Sequence, residues 1–507
     1  MGDGRRGRWA LPLCVFLLAL AGGSAEASEK GKEEEVMPPL KGLKRVIVLA
    51  RHGNRAPNPQ ILELCKPYAR EVLPKFGVAP AALSRVGMSE NHESGEFLRA
   101  RYGELLGEGP FTYDGKVKFF SERADRNIVS TSVAAQGLFP LGTGLKGYTK
   151  ENPNVIPIPT TEAGVDVMMN CPRDGPCKPN LSKDKSAWFK ENTHRIFTEN
   201  KELFAKVSKA CETELTADGV MYKGKMMPLV NAAKLINDAL TFAATEGLDP
   251  TVGGRFDEAT IKEFHDLVEG VLEQALFGKP EQLTYWSADW IPTALTLSEV
   301  PLQDGHNSLH FFLNHRELIY SSARLMQIPI QFPGQREGSL PTGCMLAIEV
   351  YEEGVRLFFW AATRPSHDAK AEHLSKGLPM EELYTGGTVL PAAIPGCETG
   401  KICPLSAMKE MFVGHVSKTG TWAELCGVTE KDMRFRWEET HLGIMAPWLT
   451  RSLGAQNLFA ADGEACDLKT WALAAGLSLA TGLVGFKLGS AKASARGGPP
   501  ADYVQLE

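Results

Sequence analysis

The stretch Arg51-His52-Gly53-Asn54-Arg55-Ala56-Pro57 gathers two guanidiniums and an imidazole around one glycine. Guanidiniums present rigid donor forks that match the oxygens of a phosphate. An imidazole can attack an electrophile or move a proton near neutral pH, and a glycine lets backbone approach an anion closely. The residues just before it, Val46-Ile47-Val48-Leu49-Ala50, form an unbroken apolar, largely β-branched run. Such a run predicts a buried strand of a parallel or mixed sheet. His52 and both arginines then sit past the carboxyl end of a strand, where open α/β sheets bind ligands.

Two later stretches repeat this logic. Val117-Lys118-Phe119-Phe120-Ser121 predicts a second strand, and Asp125 is placed to cap a helix over Arg126–Gln136 closed by Gly137. Arg126 would lie at a helix amino terminus, where backbone N–H groups and the dipole favour an anion. Leu309-His310-Phe311-Phe312-Leu313 predicts a third strand, followed by Asn314-His315-Arg316-Glu317 and a helix carrying Ile319, Ala323 and Met326 on one face. His306 and His367 compete with His315, but His306 lacks an apolar strand before it and His367 lacks a helix behind it.

The elements that must position these residues are legible around them. Leu83 to Met88 leads into an amphipathic helix ending near Leu106, with Phe97, Tyr102 and Leu105 as candidate buried residues. Helical patterns cover Ala187–Ala210, Leu229–Ala244 and Asp257–Leu276, and Met345–Tyr351 with Val355–Trp360 predict a hairpin. The fold class expected is α/β, a central mixed β-sheet flanked by helices, with a smaller, mainly helical cap inserted between the sheet strands.

The full Arg-His-Gly-x-Arg-x-Pro heptad resembles the signature of the histidine acid phosphatase family, the branch 2 histidine phosphatases. Leu83-Ser84-x-Val86-Gly87-Met88 and Ser121-x-x-x-Asp125-Arg126-x-x-x-Ser130 resemble two further blocks of that family. The resemblance implies that His52 is the phosphoryl-accepting nucleophile and that Arg51, Arg55, Arg126 and His315 hold the phosphate. The family normally places Asp directly after its second histidine as proton donor; here Arg316 follows, with Glu317 one position later. His-x-Glu resembles the variant of the multiple inositol polyphosphate phosphatases, so Glu317 is the expected donor. The downstream Gln327-Ile328-Pro329 and Leu340-Pro341-Thr342-Gly343-Cys344 also favour His315 over its rivals. The resemblance further implies disulfides Cys171–Cys426 and Cys397–Cys403 and an acidic optimum. Partners for Cys344, Cys65, Cys177, Cys211 and Cys466 stay open. No metal-binding spacing of cysteine or histidine stands out, and no cofactor is expected.

The chain has 507 residues and a formal net charge of -6. Nothing in that balance attracts nucleic acid. Arg5, Arg6 and Arg8, the apolar Trp9 to Ala21 and the small residues ending at Ala27 predict a secretory signal over 1–27. A linker over 28–41, a catalytic core over 42–186, the helical cap over 187–300 and the second part of the core over 301–426 follow. Residues 427–469 read as juxtamembrane. The uncharged Thr470–Phe486 reads as a transmembrane helix with the carboxyl terminus, 487–507, in the cytosol. Asn180-Leu181-Ser182 is a glycosylation sequon that fits a lumenal surface loop. The expected partners are a phosphomonoester, the membrane, a sorting adaptor at Tyr503–Leu506 and a second copy in a homodimer. The whole reads most like a membrane-anchored lysosomal-type acid phosphatase of the secretory pathway, located in lysosome, endosome or at the cell surface. An inositol polyphosphate phosphatase and a catalytically impaired phosphate-ligand receptor are the alternatives.

Overall fold

The computed structural model describes residues 37–429 except 38, 40, 108, 113, 148–151, 163, 165, 300–307, 364–375 and 377–385. The signal, His306, His367, Cys466, the 470–486 segment and Tyr503–Leu506 lie outside the described residues. All described residues from 39 onward belong to one compact unit.

Eight strands are present among the described residues: β1 Arg45–Arg51, β2 Val117–Ser121, β3 Val220–Tyr222, β4 Lys225–Met227, β5 Ser308–Asn314, β6 Met345–Val350, β7 Val355–Ala362 and β8 Gly387–Ala392. Six form one mixed sheet in the order β2-β5-β1-β6-β7-β8, and β3 and β4 form a separate hairpin. The half that carries the chemistry is parallel, with β1 and β2 both parallel to β5. The other half is antiparallel. β1 is buried along its whole length, as its unbroken apolar run requires.

Register does most of the positioning. Arg51 lies opposite Asn314 across β1 and β5. His52 and His315 therefore leave two neighbouring parallel strands side by side. Ser121 lies opposite Leu313, which brings Glu122 beside them from β2.

Close backbone contact then fixes the loop after β1. A Cβ on Gly53 would fall 2.1 Å from the Gly87 carbonyl oxygen, and one on Gly87 would fall 1.9 Å from the Asn54 oxygen. Only two glycines let the Arg85–Leu106 helix sit this close to the site. Ser84 caps that helix by accepting from the Gly87 N–H at 3.1 Å. Its far end is tied to the antiparallel strands through Glu349, which accepts from Arg101, Tyr102, Tyr351 and Arg356.

The helical segment between β2 and β5 differs from expectation in its breaks. The pattern over Ala187–Ala210 is two helices, Lys178–Glu199 and Lys201–Cys211, parted at Asn200. The β3–β4 hairpin and β8 had no legible signal, because three-residue strands and a partly exposed edge carry no alternation.

Three expectations are corrected. Cys426 is bonded to Cys177, not to Cys171, whose Sγ lies 3.2 Å from that of Cys177. Both candidate cysteines flank one short helix, and six residues of spacing cannot say which reaches Cys426. Cys65–Cys211 and Cys397–Cys403 are also bonded. Asn180 lies in the first turn of the Lys178–Glu199 helix, not in a loop, and its amide donates to the Leu425 carbonyl at 2.8 Å. Finally, no helix among the described residues is long and apolar enough to cross a membrane, against the single transmembrane helix expected.

The glycine contacts yield a paired prediction. Gly87→Ala is expected to destabilise the protein by about 1–3 kcal/mol through overpacking. Gly103→Ala, on the same helix with nothing within 4 Å of its added Cβ, is expected to stabilise by up to about 1 kcal/mol. Equilibrium denaturant unfolding of the two variants measures both signs.

Candidate active site

One cleft at the carboxyl ends of β1, β2 and β5 is lined by Arg51, His52, Arg55, Arg126, Arg173, Lys234, Asp238, Phe242, His315, Arg316 and Glu317. All six site residues expected from the sequence meet there.

His52 is held in one tautomer. Its Nδ1 lies 2.8 Å from the Gly53 carbonyl oxygen, which can only accept, so Nδ1 carries the proton and Nε2 keeps its lone pair. Its backbone N–H donates to the Asn314 carbonyl at 3.0 Å, and its carbonyl accepts from Gly343 at 3.1 Å. Burial, and then the charges of Arg126, His315, Arg51 and Arg55, push its pKa well below the ordinary histidine value. The ring is thus neutral, with an Nε2 lone pair in a cleft lined by cations.

Arg51 and Arg55 are fixed by acceptors outside the cleft. Arg51 donates to the Leu340 carbonyl. Arg55 donates to Asn58 Oδ1 at 2.7 Å and lies over the Phe242 ring at 4.6 Å. The negative face of an aromatic ring attracts a guanidinium and helps to orient it. Arg126 is buried in the first turn of the Asp125–Leu138 helix. Asp125 does not cap that helix as expected; Glu122 accepts from the Ala124 N–H at 2.8 Å instead, and the helix runs on past Gly137 to Leu138.

Glu122 is the residue that sequence reasoning missed most plainly. It lies 3.3 Å from His315 Nε2 and accepts from Asn127 at 2.5 Å and Asn170 at 3.3 Å. Burial pushes its pKa up, but His315, the Ala124 N–H and Arg126 together hold it below the usual carboxylate range. The signal was its place one residue beyond β2, equivalent to that of His52 beyond β1. The His315 ring meets the His52 ring edge to face at 5.3 Å. Burial lowers the His315 pKa and the Glu122 charge opposes that shift.

The rim of the cleft is a lattice of ion pairs. Arg173 donates to Glu317 Oε1 at 2.7 Å and lies over the Trp286 ring at 5.2 Å. Arg316 reaches both oxygens of Glu269 at 3.0 Å, and Lys234 reaches Asp238 at 2.6 Å. Burial raises the Glu317 pKa, but Arg173, Arg316, His315 and Lys234 outweigh it and hold the carboxyl well below its usual range. On the Lys178–Glu199 helix Lys185 belongs to this field, whereas Lys183 and Lys190 are exposed and Arg195 pairs with Glu199.

No group of histidine, cysteine and carboxylate side chains able to hold a metal occurs among the described residues. What the cleft offers is a neutral nucleophilic nitrogen facing a set of fixed cations, an arrangement suited to transfer of a phosphoryl group.

The fold is α/β, a mixed sheet flanked by helices, and the comparisons bear on both the fold and the sequence blocks that line the cleft. The sequence model of the histidine phosphatase superfamily (branch 2) matches residues 42–226. Among solved structures, the phytase of Klebsiella sp ASR1 has a TM-score of 0.54 at 16% identity, covering 76% of this chain and 98% of its own. The phytase of Citrobacter braakii has a TM-score of 0.52 at 15% identity, covering 74% and 98%. The Hafnia alvei phytase in complex with myo-inositol hexakis sulphate has a TM-score of 0.53 at 16% identity, covering 74% and 97%. At such identities the likeness is one of fold. No curated protein matches the chain. Over residues 42–226 the chain is similar to the branch 2 histidine phosphatases, and that similarity supports phosphatase activity.

The Glu122 contact generates a titration prediction. Glu122→Gln removes the charge that favours the imidazolium of His315, so the His315 pKa is expected to fall further. Histidine hydrogen–deuterium exchange followed across pH reports the direction; a rise would show that Glu122 does not act on His315.

Proposed function

We propose that the protein hydrolyses phosphate monoesters through a phosphohistidine at His52. The observation that carries this reading is the His52 tautomer, with Nδ1 donating to Gly53 and Nε2 left as a nucleophile among three arginines. Nε2 would attack phosphorus in line while Arg51, Arg55 and Arg126 hold the non-bridging oxygens and their developing charge. His315, steadied by Glu122, would hold an oxygen through its other ring nitrogen. Glu317 would protonate the leaving oxygen, then as carboxylate take a proton from the water that cleaves the intermediate. Such acid–base assistance contributes roughly 10²- to 10⁴-fold.

The depressed His52 pKa supports an acidic working range. Protonation of Nε2 would remove the nucleophile, and a lowered pKa delays that protonation as pH falls. Three disulfides support an oxidising compartment, in keeping with export through the secretory pathway.

A second reading keeps the chemistry and changes the substrate. Arg173, Lys234 and Arg316 add cations to the same cleft beyond the three that would hold one phosphate. Each is paired with a carboxylate, and exchange of those partners for further phosphates supports a polyanion such as an inositol polyphosphate.

Initial rates of the wild type on p-nitrophenyl phosphate, glycerol 2-phosphate and phytate from acidic to neutral pH separate these readings. His52→Ala is expected to abolish turnover of all three. Glu317→Gln is expected to lower turnover of glycerol 2-phosphate by about 10²-fold or more. It should affect the aryl ester much less, because nitrophenolate leaves without a proton. Equal losses on both esters would remove Glu317 from the acid role.

A further inference from the structure

A carboxylate that must deliver a proton is held ionised by its surroundings. Glu317 is buried, and each element packed against it brings charge. Arg173 comes from the Cys171–Asp174 turn of helix, Lys185 from the Lys178–Glu199 helix, Lys234 and Asp238 from the Leu229–Glu246 helix, and His315 and Arg316 from its own segment. Lys234 is already taken by Asp238, and Arg316 by Glu269. Among the described residues, Arg173 alone makes a direct ion pair with Glu317, at 2.7 Å.

Arg173 is also the cation best placed to change partner. Its side chain is about a fifth exposed, whereas that of Glu317 is almost fully buried. Its guanidinium lies over Trp286, a contact that holds the planar group without demanding a particular acceptor. Lys185 stands close by with no ion pair among the described residues, its Nζ 5.6 Å over the Phe189 ring. Burial, Arg173 and Lys234 push the Lys185 pKa down to about 8, the state expected of a cation set that lacks an anion. Arg173 and Glu317 line the same cleft as His52.

We propose that Arg173 is a substrate-operated switch on Glu317: a second anionic group of the substrate takes Arg173, with Lys185, and thereby releases Glu317 to accept a proton. The inference rests on the phosphomonoester reading above. Its chemistry balances without any further reagent. Glu317 takes a proton from solvent as its ion pair is replaced. When the Nε2–phosphorus bond forms and the ester P–O bond breaks, that proton passes to the leaving oxygen. Water then gives a proton to the Glu317 carboxylate and receives the phosphoryl group, restoring His52. A substrate with one phosphate leaves Arg173 on Glu317 and is protonated poorly, so the site discriminates through catalysis as well as binding.

The test compares wild type, Arg173→Gln and Arg173→Lys on p-nitrophenyl phosphate and on the mono- and bisphosphates of propane-1,3-diol. The wild type is expected to favour the bisphosphate over the monophosphate by about tenfold or more in kcat/KM, and Arg173→Gln to lose most of that preference. The basic limb of the monophosphate kcat profile is expected to move up by about one pH unit or more in Arg173→Gln, because an opposing cation near a carboxyl lowers its pKa by that order. Arg173→Lys, which keeps the charge, should hold the limb near its wild-type place and keeps the comparison possible if Arg173→Gln does not fold. The same bisphosphate preference in wild type and Arg173→Gln, or a basic limb that does not move, overturns the switch while p-nitrophenyl phosphate turnover leaves the phosphomonoester reading standing. No turnover of any of the three by the wild type overturns both.

Discussion

Packing Arg51, Arg55, Arg126 and two histidines into one buried cleft is electrostatically unfavourable, and the rest of the structure is arranged to make it tolerable. Like charges in a low-dielectric space repel strongly, and each carries a desolvation penalty. Backbone carbonyls, the Asn58 amide and the Phe242 face help to hold Arg51 and Arg55 in place. Carboxylates are kept to the edges, as Glu122 behind His315 and as Glu317, Asp238 and Glu269 along the rim. Burial and the surrounding cationic groups together keep His52 neutral.

Backbone geometry carries this electrostatic arrangement. Three parallel strands end together, and their register sets Arg51 beside Asn314 and Leu313 beside Ser121. The residues that follow each strand are therefore neighbours in space although they are far apart in sequence. The Gly53–Gly87 contact presses the Arg85–Leu106 helix onto the first loop, and Glu90 ties that loop to the later turn by accepting from the Asn54 N–H at 2.7 Å and the Thr342 hydroxyl at 2.8 Å. Mobility in this loop would blur the His52 tautomer, so its anchoring is part of the chemistry.

How much of this was legible in the sequence depends on the range of the interaction. β1, β2, β5 and the β6–β7 hairpin declare themselves by local apolar pattern, and the heptad places His52, Arg51 and Arg55 at a strand end without any tertiary information. Arg126 and His315 repeat the same local grammar. Glu122 was readable in principle by that rule and was passed over in favour of Asp125 as the helix cap. Arg173 carries no local signal, because its meaning arises only when the Cys171–Asp174 helix meets Glu317 across 144 residues of chain. The pairing of Cys426 with Cys177 rather than Cys171 is of the same kind, decided by a few ångströms at the end of a helix. Phe242, from the Leu229–Glu246 helix, likewise acquires its task under Arg55 only through tertiary contact.

The central claim is that His52 Nε2 accepts the phosphoryl group. Wild-type protein mixed with p-nitrophenyl phosphate, quenched in alkali within the first turnover and mapped by mass spectrometry, tests it directly. A phosphoryl adduct on His52 that forms and decays at rates able to support steady turnover is the predicted result. Turnover without any such adduct, or an adduct on another residue, would contradict the account.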